Sequence, residues 1–396
     1  MEADRTLRAE VPAKQAALAV VDGRRDDLVR LSRSIHANPE LCFEETASAR
    51  WTAEALAAGG FSVEEGICDL PTAFLARAGS GPLVVAICAE YDALPGIGHA
   101  CGHNVIAASA VGAGIALAGL ADDLGITVLV VGTPAEEGGG GKILLLERGA
   151  FAGVHAAMMV HPWPEERLAA TCLAVSHFDV HYHGKTAHAS AAPWEGVNAA
   201  DALTVAQASI GLLRQQLRPG DQVHGIVTNG GSAANVIPEA VSARFMCRAS
   251  TLADLEVLEP RIKRCFEAGA LATGATVDYQ ELAPPYSHME SDVPLLATYR
   301  ANAEALGRRF AGDDAGTPGP TLSTDMANVS LALPTIHPLI AIESHGAVNH
   351  QPEFTAACIT ESADAALRDG AVAMAWTAID AATHAPLRDR LLARPA

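Results

Sequence analysis

The sequence predicts an α/β protein in which a doubly wound domain is interrupted by an inserted ferredoxin-like domain. Strands and helices alternate between residues 83 and 160, and the order changes to β-α-β-β-α-β between 174 and 286. Alternation of apolar strands with helices is typical of a parallel sheet that helices cover on both faces, whereas β-α-β-β-α-β is the ferredoxin-like order. We therefore expect a split domain, 1–173 and 287–396, around an inserted domain, 174–286.

Two helices are predicted within the first 60 residues, over Arg24–His36 and Glu45–Ala58. The first carries Leu28, Leu31 and Ile35 at helical spacing. A proline follows the first helix and a pair of glycines follows the second, and both are common helix stop signals.

The alternating region begins after these helices. The predicted elements are the strands Leu83–Ala89, Ile126–Gly132 and Val154–Val160 and the helices Asn104–Leu120 and Lys142–Arg148. The strands are nearly continuous apolar runs, as expected for parallel strands that are buried on both faces.

The inserted domain has a different pattern. Its predicted elements are the strands Ala174–His183, Val223–Asn229, Ala240–Ala249 and Thr276–Leu282 and the helices Glu195–Gln216 and Leu252–Ala272. Helical segments return over Pro294–Leu306 and Pro352–Ala382, which we assign to the first domain.

Composition excludes several classes of function. The formal charge of −19 disfavours nucleic acid and anionic membranes as partners. There is no run of 18 apolar residues, and the eight cysteines have no framework spacing. The first ten residues mix both charges, so a secretory signal is not expected. Reduced thiols and a cytoplasmic location are therefore expected.

Polar side chains follow the three predicted parallel strands. Glu90 and Asp92 come after the first strand, Glu136 and Glu137 after the second, and His161 at the end of the third. Ligands bind beyond the carboxyl ends of such strands, so these groups are expected to converge. The pattern favours a metal site.

Cys101 and His103 add a thiolate and an imidazole on either side of a glycine, which allows the chain to fold tightly around an ion. An isolated Cys-x-His pair is more often structural, and adjacent carboxylates are more often a solvated turn; their combination favours a metal. We assign Glu136 as general base and Glu137 as ligand, although the residues alone do not decide which is which. His350 is expected to complete the site.

Three other histidines are left open by the sequence. His337 and His345 compete with His350, and His99 has no assigned role. The glycine run before Lys142 does not form a phosphate-binding loop, because Ile143 stands where that motif requires Ser or Thr.

Seven segments resemble the M20 metallopeptidase family, in particular its amidohydrolase branch of aminobenzoyl-glutamate hydrolases and M20 domain-containing protein 2 type dipeptidases. They are HANPE (36–40), EYDALPGIGHACGHN (90–104), TPAEEGGGGK (133–142), GKTAH (184–188), PWEGVN (193–198), NGG (229–231) and Asn349–His350. The resemblance implies a catalytic domain with an inserted lid that dimerises, and two divalent ions, zinc or manganese. It implies Cys101 as the bridging ligand, with His103, Glu137, His161 and His350 as further ligands and Glu136 as the base.

The chain departs from the family pattern at two places. Many members have a metal-binding His-x-Asp at the end of the first strand, where this chain has Cys88-Ala89-Glu90. We leave Cys88 out of the ligand set and expect Glu90 to orient a ligand imidazole. Asn104 replaces an Asp of hippurate-type members, which favours the aminobenzoyl-glutamate and dipeptidase side of the branch.

The inserted domain supplies three candidates by the same resemblance. His188 is expected to reach across the dimer to the oxyanion of the tetrahedral intermediate. Asn235 and Arg248 are expected to bind a substrate carboxylate, with an exposed strand residue as the alternative for Arg248. His177, His181 and His183 alternate on one strand, and we interpret them as a solvated sheet face.

The expected activity is metal-dependent hydrolysis of the amide bond of a small N-acyl amino acid, an aminobenzoyl-glutamate-like compound or a dipeptide with a free carboxylate. The expected assembly is a homodimer. Two alternatives are a hydrolase with Cys101 as its nucleophile and a non-catalytic binding protein that a metal stabilises.

Overall fold

The structure is a computed structural model that describes residues 2–317 and 319–394. The chain forms two compact units. The first consists of Met1–Thr171 and Met289–Ala396, and the second of Cys172–His288.

The helices and strands are numbered in chain order. The α-helices are α1 (Glu2–Gly23), α2 (Arg25–Ala37), α3 (Thr46–Ala58), α4 (His103–Ala118), α5 (Ala121–Leu124), α6 (Gly141–Glu147), α7 (Ala199–Leu213), α8 (Leu252–Thr273), α9 (Val293–Ala305), α10 (Ala311–Asp314), α11 (Met326–Ala332), α12 (Pro352–Ala357), α13 (Glu361–Thr383) and α14 (Ala385–Leu392). The strands are β1 (Ser62–Glu65), β2 (Phe74–Ala78), β3 (Leu83–Ala89), β4 (Ile126–Gly132), β5 (Ala156–Met158), β6 (His161–Trp163), β7 (Thr171–Cys172), β8 (Ala174–His183), β9 (Gln222–Asn229), β10 (Ala240–Ala249), β11 (Thr276–Glu281), β12 (Thr321–Leu322), β13 (Thr335–Ile336) and β14 (Leu339–Ala341).

The first unit is built on a six-stranded mixed sheet in the order β1-β2-β4-β3-β5-β13. Strands β4, β3, β5 and β13 are parallel, and β2 joins them antiparallel through β4. Val85 of β3 lies opposite Val128 of β4 and Ala156 of β5. The carboxyl ends of β3 and β4 therefore lie at the same edge of the sheet.

Helices cover both faces of this sheet. On one face α4 packs against β3, β4 and α13, while α6 and α11 lie with the core on the other face. Small residues let α4 approach closely, because a Cβ at Gly114 would lie 2.7 Å from a Val130 methyl carbon. The predicted mixed α/β fold is confirmed.

Two predicted elements are divided in the structure. The strand expected over 154–160 is only β5, because β6 begins at His161 and pairs with β14 instead. The helical segment expected over 352–382 is two helices, α12 and α13. Thr360 caps the second of them by accepting a hydrogen bond from the backbone of Ala363.

The second unit has a four-stranded antiparallel sheet in the order β11-β8-β10-β9. Helices α7 and α8 pack on one face, against inward-facing side chains such as Phe178, Val180 and Tyr182 of β8. The alternate residues of β8, which include its three histidines, face the other side of the sheet. Among the described residues, no helix combines the length and the hydropathy that crossing a membrane requires.

Candidate metal centre

The structure brings seven of the predicted site residues together in the first unit. Their possible ligand atoms form three groups, within each of which all atoms lie no more than 4.8 Å apart. The groups are Cys101 with His103 and His161, Cys101 with Glu137 and His350, and Glu90 with His103 and Glu136. The first two share the thiol, as two ions bridged by one thiolate would require.

A tight turn at the start of α4 places Cys101 and His103 side by side. Gly102 between them has φ 77°, in the left-handed region. A Cβ at this position would lie 2.8 Å from a carbon of Pro162 and 3.2 Å from Cys358 Sγ. Both the conformation and the space therefore require glycine.

Asp92 orients His103 and the loop that carries the glutamate pair. The His103 Nδ1 atom lies 2.8 Å from the Asp92 carbonyl oxygen and 3.0 Å from Asp92 Oδ1. Asp92 Oδ2 accepts a hydrogen bond of 2.9 Å from the backbone N–H of Glu137. With the hydrogen on Nδ1, His103 Nε2 presents its lone pair to the site.

This orienting role was expected of Glu90 from the sequence. In the structure Glu90 Oε1 lies 2.9 Å from His103 Nε2, the opposite nitrogen of the ring. The sequence identifies Asp92 only as one of the polar groups after the first strand. Its position two residues after Glu90, at the end of a buried strand, is the sequence feature that could have indicated this orienting role.

A second buried carboxylate, Glu45, supports the glutamate pair and was not predicted. Ala135, just before Glu136, has φ 59°, a conformation uncommon for a residue with a side chain. Its N–H donates a 2.8 Å hydrogen bond to Glu45 Oε1, and Thr72 donates to Glu45 Oε2. The hydrogen bond from Ala135 to Glu45 thus stabilises the strained backbone conformation of this turn. The sequence had placed Glu45 only as the first residue of a helix.

The charges in the site shift the proton affinities of its members. Burial, with the charges of Glu90 and Glu137, raises the pKa of Glu136 well above its usual value. Burial and the charge of Glu137 likewise raise the pKa of the Cys101 thiol. A thiol that holds its proton is a poor nucleophile, which disfavours the cysteine-hydrolase alternative. A cation beside the sulfur reverses that shift.

His161 and His350 come from the two different chain segments of the first unit. His161 is buried and its Nδ1 donates to the carbonyl oxygen of Pro162, 2.8 Å away, which leaves Nε2 with a lone pair. His350 lies on an exposed loop whose backbone N–H donates to Ala100 O, and its Nε2 is 3.6 Å from Glu137 Oε2.

The three unassigned histidines differ from these two. His337 is buried and packs edge-on against His161 with 5.5 Å between ring centroids, and burial lowers its pKa to about 3. His99 is buried beside His36, and burial also lowers its pKa to about 3. His345 is exposed and lies 3.8 Å from Glu343. None of the three belongs to a candidate ligand group among the described residues.

The second unit holds the remaining candidates. His188 and Asn235 are exposed neighbours, since the backbone N–H of Ala189 donates to Asn235 O. The His188 Nδ1 atom accepts from the backbone N–H groups of Ser190 and Ala191 at 3.3 and 3.2 Å. Arg248 is half-buried on β10 and lowers the pKa of His177, after the larger effect of burial.

The donors of the first unit fit a metal. They combine a thiol, imidazole nitrogens and carboxylates, a set that zinc and manganese accept. His103 Nε2 and Glu90 Oε1 are buried without a hydrogen-bond partner in the described part of the chain. Buried polar atoms without partners are rare in folded proteins, and a cation would satisfy both.

Comparisons with known proteins agree with this chemistry. The model for "Peptidase family M20/M25/M40" matches residues 86–368. The mouse protein "Xaa-Arg dipeptidase" is 40% identical over 382 residues, covering 93% of this chain and 88% of the relative. One of the subunits of the Escherichia coli p-aminobenzoyl-glutamate hydrolase is 32% identical over 279 residues, covering 65% of this chain and 58% of that protein.

The fold is also found in solved structures. A Bacillus subtilis protein described as a dinuclear metal binding peptidase from the M20 family has a TM-score of 0.66 and 20% identity, covering 90% of this chain and 99% of that one. The resemblance drawn from the sequence motifs is thus confirmed. The chain belongs to peptidase family M20/M25/M40 and is a hydrolase of amide bonds.

Proposed function

We propose that this protein is a metal-dependent hydrolase that cleaves small dipeptides or N-acyl amino acids with a free carboxylate. The observation that carries the proposal is the cluster of Cys101, His103, Glu137, His161 and His350, with Glu136 beside it. Dipeptides that end in arginine are the first substrates to test, because of the 40% identity to a dipeptidase of that name. Aminobenzoyl-glutamate is the second.

The five ligand residues would hold two divalent ions, and Cys101 belongs to both of the candidate groups that would do so. When bound, the ions polarise the amide carbonyl and lower the pKa of a water. Glu136 accepts the proton of the attacking water and returns it to the leaving amine. Its position suits this task, because it is buried beside the candidate ligands and shares one group with Glu90 and His103.

The second unit would act as a lid of ferredoxin-like order on a doubly wound catalytic unit. His188 is suited to stabilise an oxyanion, because two backbone N–H groups occupy Nδ1 and leave the ring hydrogen on Nε2. Asn235 and Arg248 would bind the substrate carboxylate, for which the planar guanidinium of arginine is the best match.

A homodimer through β9 would deliver His188 to the partner's site. Strand β9 is an edge of its sheet, and Ile226 and Val227 on it are 65% and 48% exposed. An exposed apolar edge strand is prone to pair with another strand, and a second copy offers an identical edge. We also place the protein in the cytoplasm, which the eight free cysteines support.

A substrate screen with controlled metal content tests the proposal. Protein stripped with chelator and refilled with zinc, manganese or cobalt is assayed on Xaa-Arg dipeptides, aminobenzoyl-glutamate and N-acyl amino acids. We expect turnover only in refilled protein, and faster turnover of free acids than of the matching C-terminal amides. Full activity in the stripped protein, or equal rates on acids and amides, would contradict the metal or the carboxylate assignment respectively.

A further inference from the structure

A cluster of three buried charges lies behind the metal centre and is not used by the mechanism above. Glu90, Lys142 and Asp325 are all completely inaccessible to solvent. Lys142 Nζ donates to Glu90 Oε2 and, over 2.7 Å, to Asp325 Oδ1. The backbone N–H of Lys142 donates to Asp325 Oδ2 at 2.9 Å. Asp325 thus fixes Lys142, and Lys142 fixes one oxygen of Glu90.

The other oxygen of Glu90 faces the metal centre. Glu90 Oε1 lies 2.9 Å from His103 Nε2, and neither atom has a hydrogen-bond partner in the described part of the chain. Asp92 accepts a hydrogen from His103 Nδ1, which leaves His103 Nε2 and Glu90 Oε1 to share one positive charge between them. A proton on Nε2 or a metal ion supplies that charge, because two facing acceptors in a buried site would repel.

Charge balance points to the same conclusion. Two carboxylates share a single ammonium in this cluster, so the second positive charge beside Glu90 comes from His103 or from a bound ion. A buried, uncompensated carboxylate costs several kcal/mol. Glu90 shares one group of candidate ligands with His103, and His103 shares another with Cys101 and His161. A cation bound to His103 Nε2 would therefore lie next to Glu90 Oε1.

We propose that Glu90 is a metal ligand, through Oε1, for the ion that Cys101, His103 and His161 hold. This inference rests on the proposed function, since it requires that ion. It gives the ion four protein ligands, the number found in closed zinc sites. The other ion would be held by Cys101, Glu137 and His350, and His350, with 61% of its side chain exposed, lies on the side of the centre that solvent reaches.

Metal titration of Glu90→Gln tests the inference with a matched control. Dissociation constants for zinc are measured by chelator competition, and the visible absorption spectrum is recorded after cobalt loading. We expect one of the two ions to bind about tenfold more weakly or worse. A loss of about tenfold is already typical when a residue that only supports a ligand is removed. The cobalt spectrum should change as well. The control is Glu166→Gln, which breaks another buried ion pair, 3.0 Å from Arg308, and should leave both ions unaffected.

Two results would overturn the inference. One is a Glu90→Gln variant with wild-type dissociation constants and cobalt spectrum, which would leave the proposed function standing. The other is a wild-type protein that binds no divalent ion, which would remove the proposed function too. If the variant does not fold, a crystal structure of the zinc-loaded wild type decides: Glu90 Oε1 within about 2.2 Å of an ion supports the proposal, and about 3 Å or more rejects it.

Discussion

Single buried carboxylates determine the geometry of this site. Asp92 meets His103 with one oxygen and the backbone of Glu137 with the other, so one side chain aligns a ligand and the loop of the base. Glu45 supports the turn at Ala135 in the same way. Both carboxylates hold the candidate ligands and the proposed base in position through hydrogen bonds.

At this scale the general base is the most direct test. Glu136→Gln should keep two bound ions and lose at least about 100-fold in kcat, because the amide cannot accept the proton of the attacking water. The measurement is steady-state kinetics together with metal analysis. Glu137→Gln is the comparison, and there we expect loss of metal. Wild-type turnover in Glu136→Gln would refute the base assignment and favour the non-catalytic alternative.

The clustering of the candidate ligands could be predicted from the sequence, and the support that Glu45 and Asp325 give them could not. Cys101, His103 and the glutamate pair stand out because metals require few residue types and the strand ends converge. Glu45 and Asp325 support the site through hydrogen bonds across 90 and 183 residues of sequence, to Ala135 and Lys142. No local sequence pattern predicts such distant contacts. A single acidic residue just before a helix can have many roles, of which capping the helix is only one.

At the scale of elements, periodicity located the strands β3, β4 and β10 to the residue. The ends of β3 and β4 are clear because each is a continuous apolar run buried on both faces, and those of β10 are clear because its burial alternates. The division into β5 and β6 escaped prediction, because both are three-residue strands whose pairing with β13 and β14 depends on chain 170 residues away or more. Short strands are specified by their partners more than by their own sequence.

The turn before α4 carries a prediction about local backbone. Gly102→Ala should weaken metal binding about tenfold, because a left-handed alanine costs roughly 1–2 kcal/mol and the new Cβ would press on Pro162. Chelator competition measures the effect. Gly119→Ala, at the other end of the same helix in open space, is the control and should bind metal normally. Equal affinities in the two variants would show that the turn does not position the ligands.

For the molecule as a whole, composition does not determine the oligomeric state. The charge of −19 disfavours nonspecific association, so a dimer needs a specific surface. Strand β9 is our candidate for that surface. The sequence predicted this strand, but which strand lies at the edge of the sheet depends on the pairing order.

Lysines on this edge should break the proposed dimer. The double variant Ile226→Lys/Val227→Lys places like charges opposite each other in the paired edges, and we expect a monomer by light scattering. Its activity should fall strongly, since His188 would no longer reach a partner. The control is Leu271→Lys, a substitution at an 87% exposed position of α8. A fully active monomer would contradict the assignment of His188 to the neighbouring subunit.

The ligand set also has a consequence for the lifetime of the protein. Cys101 and His350 lie 249 residues apart in the chain and meet in one group of donors. An ion held there would link the two chain segments of the first unit, and the unfolded chain has no preformed site for it. At a free ion concentration 100 times the dissociation constant, this linkage adds about 2.7 kcal/mol per ion. When metal is scarce, the protein would therefore lose stability and become sensitive to proteases, in addition to losing activity.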